Sequence, residues 1–172
     1  MNAVNNLTVV KTAEVVQEYR DMVYAIALTH TRQKSDADDI FQEVFLIYHR
    51  KAPAFAEEER RKAWLITTTL NCAKRLADSS WNKKIVPLHE QTSAEPLAED
   101  FSFQNAEQDA ILQALRELPA HYRSVLHLFY FEDLSVAQIS RMLGIEPVTV
   151  RVRLNRARAQ MRVVLKGDYF NE

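Results

Sequence analysis

"VTVRVRLNRARAQM", residues Val148 to Met161, carries two incompatible periods. Thr149, Val150, Arg151, Val152, Arg153 and Leu154 alternate polar and apolar, and four of the first five residues are β-branched, which suits a strand. Drawn at about 100° per residue, however, Val150, Leu154, Ala157, Met161, Val164 and Leu165 fall in one stripe, and the alternation dies after Leu154. The longer period predicts a helix. Opposite the stripe stand Thr149, Arg151, Val152, Asn155 and Arg156, with Arg153 and Arg158 on its flanks.

The residues just before this stretch say what kind of helix it is. Ser135 suits the cap of a short helix, Gly144 permits the left-handed turn that ends one, and Pro147 sits where a first helical residue lacking an N–H does no harm. Together they read as helix, tight turn, helix. An outward surface of Arg and Asn suits a DNA major groove: guanidinium forks match guanine O6 and N7, amides match adenine, and an exposed valine can meet a thymine methyl. Flanking arginines can neutralise phosphates and fix register.

Composition agrees with helices throughout. Two glycines, Gly144 and Gly167, and five prolines in 172 residues leave little turn material for a many-stranded sheet. An all-α fold is expected. The single Cys72 excludes an internal disulfide or a cysteine metal cluster, and the five histidines have no metal spacing, so no metal or cofactor is expected. No apolar run approaches the roughly 18 residues of a membrane span and "MNAVNNLTVVKT" lacks an export signal, which predicts a cytoplasmic protein.

Net charge is −1, but it is unevenly spread. From Ile85 to Leu115 there is no Lys or Arg, while Glu90, Glu95, Glu99, Asp100, Glu107 and Asp109 form an acidic run. From Arg141 to Lys166 seven basic residues face Glu146 alone. Such polarity points to a charged partner.

Three helices are legible before the acidic run. Val15, Val16, Tyr19, Met22, Val23, Ile26 and Ala27 mark the first, from about Thr12 to His30. Ser35 or Asp36 can cap the second, in which Ile40, Phe41, Val44, Phe45 and Tyr48 face inward and Asp39, Gln42, Glu43, Leu46, His49 and Arg50 outward. The third runs from about Glu58 to Ser80, with Trp64, Leu65, Leu70, Ala73 and Ala77 available for packing; the cluster Glu57, Glu58, Glu59 against Arg60, Arg61, Lys62 reads as a self-paired solvated face. "PLHEQTSAEPLAEDFSFQ" has no helical period and reads as a linker. The chain thus divides into a helical unit over 10–84, a flexible acidic linker over 85–106, and a helix-turn-helix unit over 107–168. In the last unit "AILQALRELP" and "AHYRSVLHLFYF" supply two further helices, the second with Val125, Leu126, Phe129 and Tyr130 as its apolar residues.

With these motifs placed, the chain resembles the bacterial extracytoplasmic-function sigma factors, the two-domain members of the sigma-70 family that direct RNA polymerase to promoters. "LRELPAHYRSVLHLFYFEDLSVAQISRMLGIEPVTVRVRLNRARAQM" is similar to the family's C-terminal region, and "DADDIFQEVFLIYHR" followed by "AWLITTTLNCAKR" to its N-terminal one. The resemblance implies no enzyme and no small-molecule substrate but a monomeric transcription initiation factor, with region 2 over 10–84 and region 4 over 107–168. Its partners would be promoter DNA, the β′ clamp and β flap of core RNA polymerase, and an anti-sigma factor. Residue by residue, it gives upstream-element contacts to Thr149, Arg151, Val152, Arg153, Asn155, Arg156 and Arg158. Polymerase docking falls to Asp39, Gln42, Glu43 and Leu46, and melting of the downstream element to Asn71, Lys74 and Arg75. Trp64 matches a core position of the family.

Gln138 and Ser140 depart from the Glu and Ala usual there, Asp133 stands where Gly is usual, and Glu146 takes a capping position that Ser or Asp fills better. Two readings stay open beside an initiation factor: a dimeric helix-turn-helix regulator, and a sigma-like chain that occupies polymerase without initiating.

Overall fold

The computed structural model describes the backbone of residues 2–83 and 106–169, and the side chains of 12–79, 107 and 109–165. The described residues form seven α-helices and one π-helical turn, with no strand among them, as the composition predicts. The chain separates into two compact units, Met1–Gln91 and Thr92–Glu172. The acidic linker expected over 85–106 lies outside the described residues except for Ala106, which begins a helix.

Unit 1 packs α1 (Asn2–His30), α2 (Lys34–Lys51) and α3 (Glu58–Lys83) against one another. Val23, Ile26 and Ala27 of α1, Ile40 and Val44 of α2, and Leu65 and Ile66 of α3 are essentially shut off from solvent. Each large aliphatic side chain so buried contributes about 1.5–3 kcal/mol. Buried threonines hold their polarity locally: the hydroxyls of Thr29, Thr31 and Thr69 donate to the carbonyls of Ala25, Ala27 and Leu65 at 2.7–2.8 Å. On α3, Ile66, Thr69 and Cys72 fill the core, whereas Ala77, expected to pack, is exposed. Trp64 packs edge-on against Tyr48 at 5.8 Å between ring centroids, a packing role as expected.

Several helix ends differ from expectation. α2 begins at Lys34, with Gln33 at the N-cap, two residues before Ser35 and three before Asp36, and no side-chain bond there. Ser35 and Asp36 therefore sit inside the first turn, where the Asp36 carboxylate still complements the helix dipole. α1 starts at Asn2, ten residues before the expected Thr12. Asp38 accepts from the Tyr24 hydroxyl at 2.6 Å and from Lys34 Nζ at 3.2 Å. Burial first, and then this bond to Asp38, push the Tyr24 phenol well above its ordinary value. The face expected to be a solvated charge cluster is partly structural: the Tyr19 hydroxyl donates to Glu58 Oε2 at 2.5 Å, Glu58 also holds Arg61, and Arg61 lies over the Phe55 ring.

Unit 2 comprises α4 (Ala106–Arg116), α5 (Ala120–Leu126), the π-helical turn His127–Phe131, α6 (Val136–Leu143) and α7 (Pro147–Tyr169). A continuous α-helix over "AHYRSVLHLFYF" would bury Phe129 and Tyr130 beside Val125 and Leu126. The π-helical turn rotates the chain, so that His127 and Leu128 enter the core while Phe129 is half-buried and Tyr130 is 53% exposed. Its backbone N–H from Glu132 reaches His127 O at 3.3 Å, and that from Leu134 reaches Leu128 O at 3.1 Å. Asp133, between them, takes φ of 53°, which explains why glycine suits this position.

Candidate nucleic-acid interface

The turn that presents α7 is fixed at every joint. Ser135 accepts from the Gln138 backbone N–H at 3.2 Å, while Gln138 Oε1 accepts from the Ser135 N–H at 2.8 Å. Gln138 thus replaces Glu without losing the reciprocal capping arrangement. α6 ends at Gly144 with φ of 64°, a left-handed residue that Gly adopts without a Cβ penalty. Ser140, the other departure, donates its hydroxyl to Ile145 O at 2.6 Å, a bond no alanine could make, and so ties the turn to α6. α7 then starts at Pro147, and its first intrahelical bond runs from Val150 N–H to Glu146 O at 3.1 Å. Glu146 serves through its backbone carbonyl, which any residue supplies.

On α7, Val150, Leu154, Ala157 and Met161 are buried, and Val164 and Leu165 are half-buried. The helical period wins over the strand-like alternation. Arg151, Val152, Asn155 and Arg156 are exposed together on the opposite face, Val152 to 40%, with Thr149 and Arg153 half-buried at its margin. Val148 is 64% exposed and lies one turn before Val152, so the two present a short apolar strip that the wheel reading left out. Its four-residue spacing from Val152 was the available signal. Arg158 differs from the other arginines. Its Nε donates to the Tyr130 hydroxyl at 2.6 Å, a terminal nitrogen donates to Asn155 Oδ1 at 3.2 Å, and its guanidinium lies 5.5 Å from the centroids of both Phe129 and Tyr130.

In unit 1 the residues that the sequence divides between two sites meet. Asp39, Gln42 and Leu46 are exposed along the outside of α2, Leu46 to 57%. Glu43, on the same helix, is half-buried and accepts from Arg75 of α3 at 3.0 Å. Arg75 also donates to Cys72 Sγ at 3.2 Å. Burial is the main cause that raises the Cys72 thiol above its usual range, with the Arg75 contact acting against it. Cys72 is accordingly a buried thiol, not an exposed thiolate. Asn71 and Lys74 are exposed on α3 beside Arg75.

Comparison with known proteins identifies both units. Residues 15–82 match sigma-70 region 2, and residues 108–161 match sigma-70 region 4. Along 152 residues the chain is 30% identical to the ECF RNA polymerase sigma factor SigL of Mycobacterium tuberculosis, covering 87% of this chain and 85% of that one. It belongs to the extracytoplasmic-function sigma factors. Against SigW of Bacillus subtilis the identity is 26% over 165 residues, covering 90% of this chain and 88% of SigW. The probable sigma factor RfaY of Xanthomonas campestris is longer: 29% identity over 154 residues covers 86% of this chain but 38% of RfaY. Among solved structures, the sigma factor RpoE of Bartonella quintana, in complex with the anti-sigma factor NepR, shares the fold with a TM-score of 0.69 at 21% identity, covering 91% of this chain and 97% of that one.

Sigma factors of this class are alternative factors for transcription initiation, a family of transcription factors and not of enzymes. In this sigma factor one face of α7 exposes two guanidiniums, an amide and two valines. No helix among the described residues is long and apolar enough to cross a membrane.

Proposed function

We propose that this sigma factor binds core RNA polymerase through the β′ clamp and the β flap, reads an upstream promoter element with α7, and opens the downstream element around Asn71. In this reading Arg151, Val152, Asn155 and Arg156 meet base edges, Thr149 and Arg153 meet phosphates, and Asp39, Gln42, Glu43 and Leu46 dock on the clamp. Lys74 and Arg75 follow the displaced strand, where extracting a base costs a few kcal/mol that a pocket must offset. The observation that carries the reading is the exposed α7 face in a helix-turn-helix whose first helix, α6, is capped at both ends. A likeness to RpoE, solved with NepR, supports an anti-sigma partner for this chain as well. It acts as a monomer in the cytoplasm, where polymerase works, and takes no small-molecule substrate.

The decisive experiment is in vitro transcription with purified core polymerase on a randomised promoter library. A start-site motif enriched over core polymerase alone is expected. Core binding without any enriched motif would overturn the reading in favour of a chain that occupies polymerase without initiating. A dimer that binds duplex DNA tightly without polymerase would favour an operator-binding regulator.

A further inference from the structure

Arg158 is the arginine of α7 that is engaged from two elements. Its guanidinium lies 5.5 Å from both aromatic rings of the π-helical turn, its Nε donates to the Tyr130 hydroxyl at 2.6 Å, and it donates to Asn155 Oδ1 at 3.2 Å. A side chain held in this way is half-buried and bonded along the helix to Asn155. Sequence alone makes Arg158 a phosphate clamp.

We propose instead that Arg158 is a positioning residue: anchored on Phe129 and Tyr130, it fixes the Asn155 amide and thereby sets which base Asn155 reads. The inference rests on the proposed role of α7 in upstream-element recognition and deepens it. An unconstrained Asn amide presents an acceptor and a donor together, the pair that matches adenine N6 and N7. With Oδ1 held by Arg158, the Asn155 amide turns its NH2 outward. A donor alone suits a base edge made of acceptors, guanine N7 and O6, and loses the match to the adenine N6 amino group. Arg suits this task better than Lys because its planar fork bonds in two directions while stacking on aromatic faces. The π-helical turn has a purpose in this scheme, since it is what turns Tyr130 out of the core and beside Arg158.

The test is selection of upstream elements from a randomised library by the reconstituted holoenzyme, with wild type, Arg158→Ala, Arg158→Lys, Tyr130→Phe, Asn155→Ala and the double variant Arg158→Ala/Asn155→Ala. Wild type should select a guanine at the one position whose preference Asn155→Ala erases. Arg158→Ala should shift the adenine-to-guanine ratio at that position about fivefold or more toward adenine. Arg158→Lys should not rescue it, Tyr130→Phe should shift it partway, and Arg158→Ala should have no further effect in the Asn155→Ala background. Should Arg158→Ala weaken binding to all sequences equally and lower the salt slope by about one, Arg158 is a phosphate clamp and the proposal is overturned. Should Arg158→Ala fail to fold, Tyr130→Phe decides, and an unchanged ratio in that variant overturns the proposal too. An upstream motif insensitive to Asn155→Ala also overturns it. Absence of any upstream motif in the wild type would instead sink the reading of α7 itself, so the two failures are distinguishable.

Discussion

α3 and α7 both carry arginines assigned to DNA, yet they hold them in opposite ways. In unit 1, Arg75 is bonded to Glu43 and Cys72, so any phosphate must compete with a carboxylate already in place. In unit 2, Arg151 and Arg156 are exposed, and the acidic residue nearest to either in sequence is Glu146, just before α7. A surface meant to read intact duplex gains from standing open, because base contacts need side chains aimed outward and counterion release needs uncompensated charge. A surface used only once a strand has been displaced can keep its cation paired until then. The helix ends differ in the same sense. The eight-residue α6 carries a full capping box and a glycine terminator, whereas the 18-residue α2 has no side-chain cap and ends on Ala52 in the left-handed region. A two-turn helix has too little face to be fixed by packing alone and depends on its ends, while α2 is held by Ile40, Val44, Phe45 and Tyr48.

The sharpest way to break this comparison is Arg156→Ala. Loss of one good base contact should lower discrimination at its position about 10- to 100-fold while leaving core polymerase binding unchanged. The corresponding Arg75→Ala should be far milder, since it trades one ion pair for another. Electrophoretic titration of the holoenzyme on matched and mismatched promoters checks both, and equal loss of polymerase and promoter binding in Arg156→Ala would make α7 merely structural.

Next in size is Ser135→Ala. It removes the side-chain acceptor for the Gln138 N–H and should destabilise unit 2 by about 1 kcal/mol. Adding a cap where α2 lacks one, Gln33→Ser, should gain less, because that helix is fixed by its buried face. Both tryptophans, Trp64 and Trp81, lie in unit 1, so their fluorescence follows that unit in urea while far-UV circular dichroism follows both. A Ser135→Ala change that leaves the dichroism transition unmoved would mean α6 is held by Ile139 and its packing instead.

Legibility in the sequence follows the same division. The seam of α7 and the caps of α6 were readable because each rests on residues within one or two turns: Ser135, Gly144, Pro147 and the Val150-to-Met161 stripe. The π-helical turn was not, since no local residue announces an i to i+5 bond, and that one turn moved His127 and Leu128 inward and Tyr130 outward. The contacts of Arg158 are illegible for the same reason: Tyr130 lies 28 residues before it, in the segment whose phase the π-helical turn changes. Glu43 and Arg75 are 32 residues apart, and a wheel that sorts each helix into faces cannot show that two faces touch.

Glu43→Gln probes that unreadable contact directly. The pair is largely exposed, so its worth is limited to about 0.2–1 kcal/mol, and unit 1 should lose no more than that by tryptophan fluorescence. Salt near 1 M should shrink the difference, because the Debye length there falls to about 3 Å, comparable with the separation of the pair. A larger loss that persists in high salt would show that Glu43 supports the fold through packing, and the contrast with the open face of α7 would fail.

Smallest is Ala52→Gly, and its sign is the informative part. Ala52 takes φ of 41° while its N–H caps α2 by donating to Tyr48 O at 2.8 Å. An L-residue there is strained by about 1–2 kcal/mol, which glycine removes. Glycine also loosens the unfolded chain, which offsets about 0.4–1 kcal/mol of that gain. Unit 1 should therefore be stabilised by a few tenths to about 1 kcal/mol. Gly144→Ala, the reverse exchange at a similar backbone conformation, should cost unit 2 a comparable amount: nothing lies within 4 Å of the added Cβ, so only backbone strain and the unfolded-chain offset act. If Ala52→Gly instead destabilises unit 1, the left-handed end of α2 is held by contacts of the alanine methyl, and the idea that a long helix tolerates a poor terminator because its face is well packed loses its only direct support.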